Sequence, residues 1–238
     1  MKATAIVLAG GRGSRMGCAT PKQYMDINGK PVLYYSLKCF EENSHIQNII
    51  LVTGEGEQTY CKKEIVKKYG FHKVTEIVRG GEERYLSVYQ GLLALQSSLR
   101  EDTAKEHLVY IHDGARPCIN DALIDQLYED TIQYKASIAA VPVKDTIKIV
   151  NENGFVEETP KRSCLWQIQT PQVFSYSLIY RAYEQLLQSD CEGITDDAMV
   201  LEKSLGYKSH ITLSSYENIK ITTPEDMALA KLFCEKMY

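Results

Sequence analysis

The feature that most constrains the fold of this chain is an alternation of short apolar runs with longer segments of helical periodicity. The apolar runs, which predict β-strands, are residues 4–8, 49–53, 74–78, 108–112, 137–143 and 209–213. The helical segments are residues 32–42, 58–69, 83–99, 121–134, 175–189, 195–205 and a last helix from Pro224. This alternation predicts an α/β fold with a mostly parallel, twisted sheet that is covered by helices on both faces.

A parallel sheet also predicts where a ligand binds. In open α/β sheets, ligands lie beyond the carboxyl ends of the strands. The residues that follow Leu8, Val78 and Ile111 should therefore form the site.

Length and charge limit the classes of function. The 238 residues suit one domain, and we expect the whole range 1–238 to form it. A net charge of -4 argues against a nucleic-acid surface, so any polyanion site has to be local. We find no signal-peptide or membrane-span pattern, and the seven scattered cysteines contain no CxxC pair. These observations predict a reduced, cytoplasmic protein that binds neither nucleic acid nor membrane.

Asn153-Gly154 is a strong hairpin signal between the β-prone segments 146–150 and 155–159. An isolated two-stranded hairpin is marginally stable in water, so its apolar residues Ile147, Ile149 and Phe155 need a surface to cover them. A second copy of the same arm is the simplest cover and predicts a two-fold homodimer. We therefore expect residues 142–164 to form a protruding dimerisation arm, with a hairpin folded back on its own domain as the alternative.

The loop after the first predicted strand reads LAGGRGSRMG from Leu8 and is followed by Pro21-Lys22-Gln23. Glycines let backbone N–H groups close on a phosphate chain, and Arg15 and Lys22 add positive charge. The candidate contacts are Ala9, Gly10, Gly11 and Gly13. The glycines alone fit an ordinary strand-to-helix turn equally well, but the two cations favour a triphosphate site. Met16 replaces the third glycine of a dinucleotide fingerprint, and the Gly-Lys-Ser/Thr of a P-loop is absent.

Two later strand ends supply further candidates. A carboxylate at a strand end, such as Asp113 in HDGARP, suits a nucleotide ribose or a magnesium ion, and a structural pair with Arg116 is the alternative. Gly81 and Ser87, in GGEERYLSV, suit the edge of a base, although a helix-capping turn explains them as well.

Arg162, Lys220 and the Thr195-Asp196-Asp197 run are weak signals one by one, because basic residues are usually solvated and acids favour helix N-termini. The whole set of motifs is more specific. In order along the chain, AGGRGSRMG, PKQ, GGEERYLSV, HDGARP, DTIK, LWQIQTPQVF, TDDA and NIKITTPEDMALA resemble the 2-C-methyl-D-erythritol 4-phosphate cytidylyltransferases of the non-mevalonate isoprenoid pathway. The resemblance covers nearly the whole chain, from Thr4 to Lys231.

This resemblance implies a Rossmann-like nucleotidyltransferase that joins a polyol phosphate to the α-phosphate of CTP and releases pyrophosphate. By position, it implies catalytic roles for Arg15, Lys22, Arg162 and Lys220. It implies nucleotide binding by Ala9, Gly10, Gly11, Gly13, Gly81, Ser87, Asp113, Gly114 and Arg116, and polyol-phosphate binding by Thr146, Arg162, Thr195, Lys220 and Thr222. It also implies Mg²⁺ as the cofactor with CTP, Asp113 as its candidate protein ligand, and an arm that pairs two subunits.

Two departures from the usual family pattern leave the polyol open. The chain reads Leu8-Ala9-Gly10-Gly11 where Pro-Ala-Ala-Gly is usual, and HDGARP where HDAARP is usual. The first departure is similar to the ribitol-5-phosphate cytidylyltransferases, whereas Ala115, Trp166 and Asp197-Ala198 favour the erythritol enzyme. A nicotinamide-dependent dehydrogenase and a nucleotide-binding module without turnover are remoter alternatives from other classes.

The residue types suit this transfer. A phosphate monoester is already an anionic nucleophile near neutral pH, so the site needs no histidine or cysteine as a strong base. What the transfer needs is alignment and neutralisation of the charge on the departing pyrophosphate, which Arg15, Lys22 and Lys220 can supply. His112 is accordingly assigned no catalytic role.

Overall fold

The structure is a computed structural model that describes residues 1–11, 20–99 and 106–237. In chain order the strands are β1 (Lys2–Ala9), β2 (Asp26–Ile27), β3 (Lys30–Pro31), β4 (Ile46–Thr53), β5 (Val74–Arg79), β6 (His107–Asp113), β7 (Ala136–Pro142), β8 (Ile149–Val150), β9 (Val156–Glu158), β10 (Trp166–Ser175) and β11 (His210–Leu213). Seven of them form one sheet in the order β11-β7-β10-β6-β1-β4-β5. All neighbouring pairs in this sheet are parallel except those of β10, which runs antiparallel to β6 and β7. The predicted mostly parallel sheet is confirmed.

The helices match the predicted segments closely. They are α1 (Val32–Glu42), α2 (Gln58–Tyr60), α3 (Arg84–Ser98), α4 (Asp121–Tyr134), α5 (Tyr176–Leu186), α6 (Asp197–Leu205) and α7 (Pro224–Met237). The helix that begins with α2 continues as π-helical turns over Cys61–Lys67, and short 3₁₀ turns lie at Lys22–Tyr24 and Arg162–Cys164. No helix in the described ranges is long and apolar enough to cross a membrane.

Helices cover both faces of the sheet because successive strand residues point to opposite sides. On β1, Ala5 and Val7 lie in the core cluster that packs against α1 and α4, whereas Ile6 lies in the cluster beneath α3, α5 and α6. A third, smaller cluster joins α7 to α1 and the short β2–β3 hairpin. The central strands are therefore buried on both faces, which explains why their sequences read as continuous apolar runs.

The antiparallel strand β10 is the main element that the periodicity did not predict. Its sequence is polar in its first half and contains Pro171, which argues against a strand because proline cannot donate a ladder hydrogen bond. The register of β10 against β7 breaks between Ile168 and Gln172, and Pro171 falls within that break. The strand accommodates the proline where no ladder bond is required.

The predicted hairpin is present but short. β8 and β9 pair antiparallel around a turn in which Asn151 N–H donates to Phe155 O at 3.0 Å and Gly154 has a φ of +82°. Only glycine adopts such a positive φ without strain, which is why Asn-Gly marks this turn. Nearly every residue of the arm is exposed, and Phe155 is 71% exposed.

The start of the last helix is also as predicted. Asp226, in its first turn, accepts hydrogen bonds from the backbone N–H groups of Thr222 and Thr223 at 2.7 and 2.8 Å. These bonds fix the chain just before α7, with Pro224 at its first position. The segment that carries Lys220 is thereby anchored at its far end.

Candidate active site

The parallel strands bring the predicted loops to one edge of the sheet. β1, β4, β5 and β6 end there at Ala9, Thr53, Arg79 and Asp113. The loop after β1 is held by Gln23, whose buried side chain donates to Ala9 O at 2.6 Å. The 3₁₀ turn that contains Gln23 therefore brings the adjacent Lys22 to the end of β1.

The first cavity at this edge has a volume of about 210 Å³ and gathers most of the predicted nucleotide-binding residues. Its lining includes Ala9, Gly10, Gly11, Lys22, Gly81, Ser87, Asp113 and Lys220. Gly13 and Arg15, which the sequence also predicts for this site, lie outside the described residues. The glycine loop and the Gly80-Gly81 turn thus face the same space, as the strand-end argument requires.

The turn before α3 is shaped by close packing around Ser87. Gly81 N–H donates to Ser87 Oγ at 3.1 Å, and this hydroxyl in turn lies 3.2 Å from Glu83 O. A Cβ atom on Gly80 would stand only 2.6 Å from Ser87 Oγ and 3.2 Å from Ser87 Cβ, so a larger residue at that position would force Ser87 to move. Ser87 both ties the helix start and lines the cavity, so the capping and the base-edge interpretations are compatible.

A second cavity of about 280 Å³ adjoins the first. It contains Arg116 and Thr195 from the predicted set, together with residues of β10 and Asp196. Three side chains line both cavities: Arg84, Asp113 and Lys220. A ligand in the first cavity and a ligand in the second would therefore meet at these three residues.

Asp113 is the centre of a charged cluster. Its Oδ2 lies 2.8 Å from Lys220 Nζ and 3.8 Å from Arg116 Nε, and its Oδ1 accepts from Arg84 Nε at 3.2 Å. Burial alone would raise the pKa of this carboxyl group, but Arg84, Lys220 and Arg116 outweigh burial and hold its pKa far below the usual range. Asp113 therefore remains ionised and orients the three cations.

This environment does not fit a magnesium ligand. Both carboxylate oxygens of Asp113 already face cations, and a divalent cation there would have to displace Lys220 or Arg84. Within the described ranges, no group of three or more His, Cys, Asp or Glu side chains could hold a metal ion. The geometry instead assigns Asp113 to holding Lys220 at the junction of the two cavities.

His112 is a structural residue, as expected. Thr170 Oγ1 accepts from Asp113 N–H at 3.0 Å and can donate its own proton to His112 Nδ1 at 3.1 Å, because the Arg116 carbonyl oxygen at the other side of the ring can only accept. The opposite ring nitrogen, Nε2, is then the protonated one and donates to Arg116 O at 3.2 Å. Burial lowers the pKa of His112 to about 3, so the ring is neutral at physiological pH and locks the Asp113–Arg116 turn.

Four predicted residues lie outside the two cavities. The Gly114 N–H donates to Leu8 O at 2.8 Å and is not available to a nucleotide. Thr222 Oγ1 donates to Asp226 at the start of α7. Thr146 and Arg162 are exposed on the arm, where Arg162 Nη1 donates to Lys144 O at 3.1 Å.

Arg84 is a charged site residue that the sequence argument missed. It occupies the first position of α3, where the helix dipole disfavours a cation. An arginine at a position that prefers acids is a signal of a specific partner, and the structure provides two, Asp113 and Asp197. Thr170 and Gln172 were also missed, because the LWQIQTPQVF run was not recognised as a strand.

Comparisons with known proteins identify the family of the chain. The profile of the IspD family, 2-C-methyl-D-erythritol 4-phosphate cytidylyltransferase, matches residues 3–236. The protein of that name from Lachnospira eligens is 50% identical over 231 residues, which cover 97% of this chain and 98% of that protein. The one from Lachnoclostridium phytofermentans is 47% identical over 230 residues, covering 97% of this chain and 95% of that protein.

Solved structures show the same fold. A 4-diphosphocytidyl-2C-methyl-D-erythritol synthase from Anaerococcus prevotii aligns with a TM-score of 0.81 at 32% identity and covers 98% of both chains. The 2-C-methyl-D-erythritol 4-phosphate cytidylyltransferase of Francisella tularensis aligns with a TM-score of 0.79 at 30% identity, over 98% of this chain and 100% of that one. Since these matches span almost the entire sequence, the chain belongs to the 2-C-methyl-D-erythritol 4-phosphate cytidylyltransferase family.

Proposed function

We propose that this enzyme transfers CMP from CTP to the phosphate of 2-C-methyl-D-erythritol 4-phosphate, which yields 4-diphosphocytidyl-2-C-methyl-D-erythritol and pyrophosphate. The observation that carries the proposal is the pair of adjoining cavities that share Arg84, Asp113 and Lys220. One cavity has the glycine loop and Lys22, which suit a triphosphate. The other has Thr195 together with Arg116, which the sequence assigned to the nucleotide but which lies on the side of the second cavity, where it suits a phosphorylated polyol. Membership of the family supports this choice of substrates.

The chemistry follows from charge and alignment. The substrate phosphate attacks the α-phosphate of CTP, the bond from the α-phosphorus to the bridging oxygen breaks, and the electron pair leaves with pyrophosphate. Lys220 lies at the junction of the cavities, where attacking and transferred phosphates would meet. Lys22, together with Arg15 from the loop, would neutralise the departing pyrophosphate. Mg²⁺, if it accompanies CTP, would be coordinated mainly by phosphate oxygens and water.

The arm supports a dimer. Its apolar side chains Ile149, Val150, Phe155 and Val156 are 45 to 71% exposed in the single chain. A two-fold partner would cover them and would bring Arg162 and Thr146 of one subunit to the cavities of the other. We therefore propose a homodimer in which Arg162 and Thr146 serve the partner's site, and a cytoplasmic location as for a pathway enzyme with small charged substrates.

Pyrophosphate release is the test of this function. The enzyme with CTP and 2-C-methyl-D-erythritol 4-phosphate should release pyrophosphate, and omission of either substrate should abolish release. Ribitol 5-phosphate in place of the erythritol compound tests the alternative polyol, and UTP tests the nucleotide. Faster turnover with ribitol 5-phosphate, or equal use of UTP and CTP, would contradict the proposal.

A further inference from the structure

An ion pair behind the second cavity, between the partly exposed Arg84 and the buried Asp197, has no role in the chemistry described so far. Arg84 Nη1 and Nη2 donate to the two carboxylate oxygens of Asp197 at 3.0 and 2.8 Å. The Arg84 Nε atom simultaneously donates to Asp113 Oδ1 at 3.2 Å. One guanidinium group thus bridges the carboxylate that holds Lys220 and a carboxylate on α6.

Asp197 is completely buried and fully paired. Its side chain is 0% exposed, and Oδ1 also accepts from the Tyr183 hydroxyl at 2.6 Å. Burial would lower the pKa of Arg84, but Asp197 and Asp113 together raise it above its usual value. An ion pair with one fully buried partner is a weak source of net stability, but its hydrogen bonds fix the relative positions of the two side chains more exactly than apolar contacts would.

The pair is continuous with the turn that forms one wall of the second cavity. Asp197 N–H and Ala198 N–H both donate to Gln172 Oε1, at 3.1 and 3.0 Å. Gln172 Nε2 donates to Asp196 Oδ2 at 2.9 Å, and Asp196 Oδ1 caps α6 by accepting from Met199 N–H. Thr195 and Asp196 line the cavity, and the hydrogen bonds of Gln172 to Asp196 and to the Asp197 N–H fix the position of this turn.

We infer that Arg84 and Asp197 are a positioning pair that sets the Thr195–Asp196 turn relative to the Asp113–Lys220 centre, and that Tyr183 holds Asp197 in place. This inference rests on the proposed function, because it assigns the turn to the polyol phosphate. Arg84 lines both cavities, but Asp197 and Gln172 support only the wall of the second one, so loss of the Asp197 charge affects the polyol phosphate more than CTP. Displacement of such a wall by about 1 Å can cost up to about 100-fold in efficiency.

The test uses two graded variants and one matched control. Asp197→Asn keeps the size of the side chain and removes its charge, and Tyr183→Phe removes one hydrogen bond to Asp197. Tyr110→Phe is the control, because Tyr110 is also fully buried and donates one bond, to Ile124 O at 2.9 Å, away from both cavities. KM for each substrate, kcat and thermal midpoint are measured for all four proteins.

The Asp197→Asn enzyme should show a KM for the polyol phosphate raised about 10- to 100-fold, with the KM for CTP changed less than about twofold. Tyr183→Phe should raise the same KM by about 3- to 10-fold, as expected for one lost hydrogen bond, and Tyr110→Phe should leave both KM values unchanged. If Asp197→Asn does not fold, Tyr183→Phe carries the test.

A purely structural role predicts a lower thermal midpoint and less active protein with both KM values unchanged, and that result would overturn the inference. Equal increases in both KM values would overturn it too. A wild-type protein that releases no pyrophosphate would instead remove the proposed function, and this inference with it. The wild-type control therefore separates the two failures.

Discussion

Lys220 and Arg162 are both expected to contact phosphate, but the chain holds them in different ways. Lys220 lies at the edge of a buried cluster, 2.8 Å from Asp113, on a segment anchored by the start of α7. Arg162 lies on an exposed arm, where its hydrogen bond goes to Lys144 of the same arm. The comparison indicates that one chain is sufficient to build the strand-end cavities, whereas the arm is exposed in the single chain, and we propose that a partner subunit fixes its position.

The largest expected effect is on turnover and concerns Lys220, the residue at the strand-end cavities. Lys220→Ala should reduce kcat about 100- to 1000-fold, because it removes a charge that acts on the transition state. The thermal midpoint should change little, since Lys220 is partly exposed and Asp113 keeps Arg84 and Arg116. Steady-state kinetics and thermal unfolding check both statements.

Lys231→Ala is the matched control for Lys220→Ala. Lys231 is an exposed lysine on α7, the helix that follows Lys220, and it lines neither cavity. The control enzyme should behave as wild type. Near-normal turnover of Lys220→Ala would mean that the phosphates meet elsewhere.

The second effect concerns the arm. Phe155→Ser should weaken dimerisation by roughly 2–4 kcal/mol, because Phe155 is the one aromatic residue of the arm, is 71% exposed and is the best candidate for an interface anchor. The sheet should keep its thermal midpoint in the same variant. Sedimentation velocity across a dilution series measures the dimerisation constant. Thermal unfolding of the dilute protein measures the thermal midpoint.

Substitution of Glu152 at the arm's turn provides the control for Phe155. Glu152 is exposed and polar, so Glu152→Ala should leave the dimer intact. A monomeric wild-type protein at micromolar concentration would contradict the dimer proposal outright. A dimer that survives Phe155→Ser would place the interface on another surface.

The third effect is a pH dependence of the free energy of unfolding, which arises from two buried histidines in the sheet. Burial lowers the pKa of His107 to about 4 and of His112 to about 3, so both are neutral in the folded protein. In the unfolded chain they take up protons below about pH 6.5. The free energy of unfolding should therefore fall by about 1.4 kcal/mol per pH unit for each histidine as the pH drops from 6.5 towards 4.

Urea unfolding at several pH values between 7.5 and 4.5 measures this slope. His107→Gln should remove the contribution of His107 to this slope, while the contribution of His112 remains. The arm contains no histidine, so the dimerisation constant should not follow the same slope between pH 7.5 and 6. An unfolding free energy that is flat over this range would contradict the buried, neutral state of both rings.

The parts of the fold that sequence predicted are those where local pattern and tertiary structure agree. The buried parallel strands have continuous apolar sequences, and their carboxyl ends had to meet at one edge of the sheet. β10 was missed because a proline and several glutamines are not typical of a strand. The structure shows that Pro171 lies where the pairing of β10 with β7 is interrupted. Strand pairing of this kind is not visible in one sequence.

The candidate site shows the same division. Lys22, Gly81, Asp113 and Lys220 were predicted and lie around one cavity. Arg84 was not predicted, because its two partners lie 29 and 113 positions away along the chain. Arg162 was predicted for the site, but in the single chain it lies on the exposed arm and lines neither cavity, so its role in the site remains part of the dimer proposal.

The central claim is that the strand-end cavities of one subunit are completed by the arm of the other, and mixed dimers test it directly. Inactive Lys220→Ala and inactive Arg162→Ala proteins, carrying different tags, are unfolded together, refolded together and assayed, and heterodimer formation is verified by tandem pull-down. With shared sites, each heterodimer has one site with both lesions and one intact site, so the random mixture should recover about a quarter of wild-type activity. Heterodimers that form but remain as inactive as their parents would contradict the account and would place Arg162 at its own chain's site.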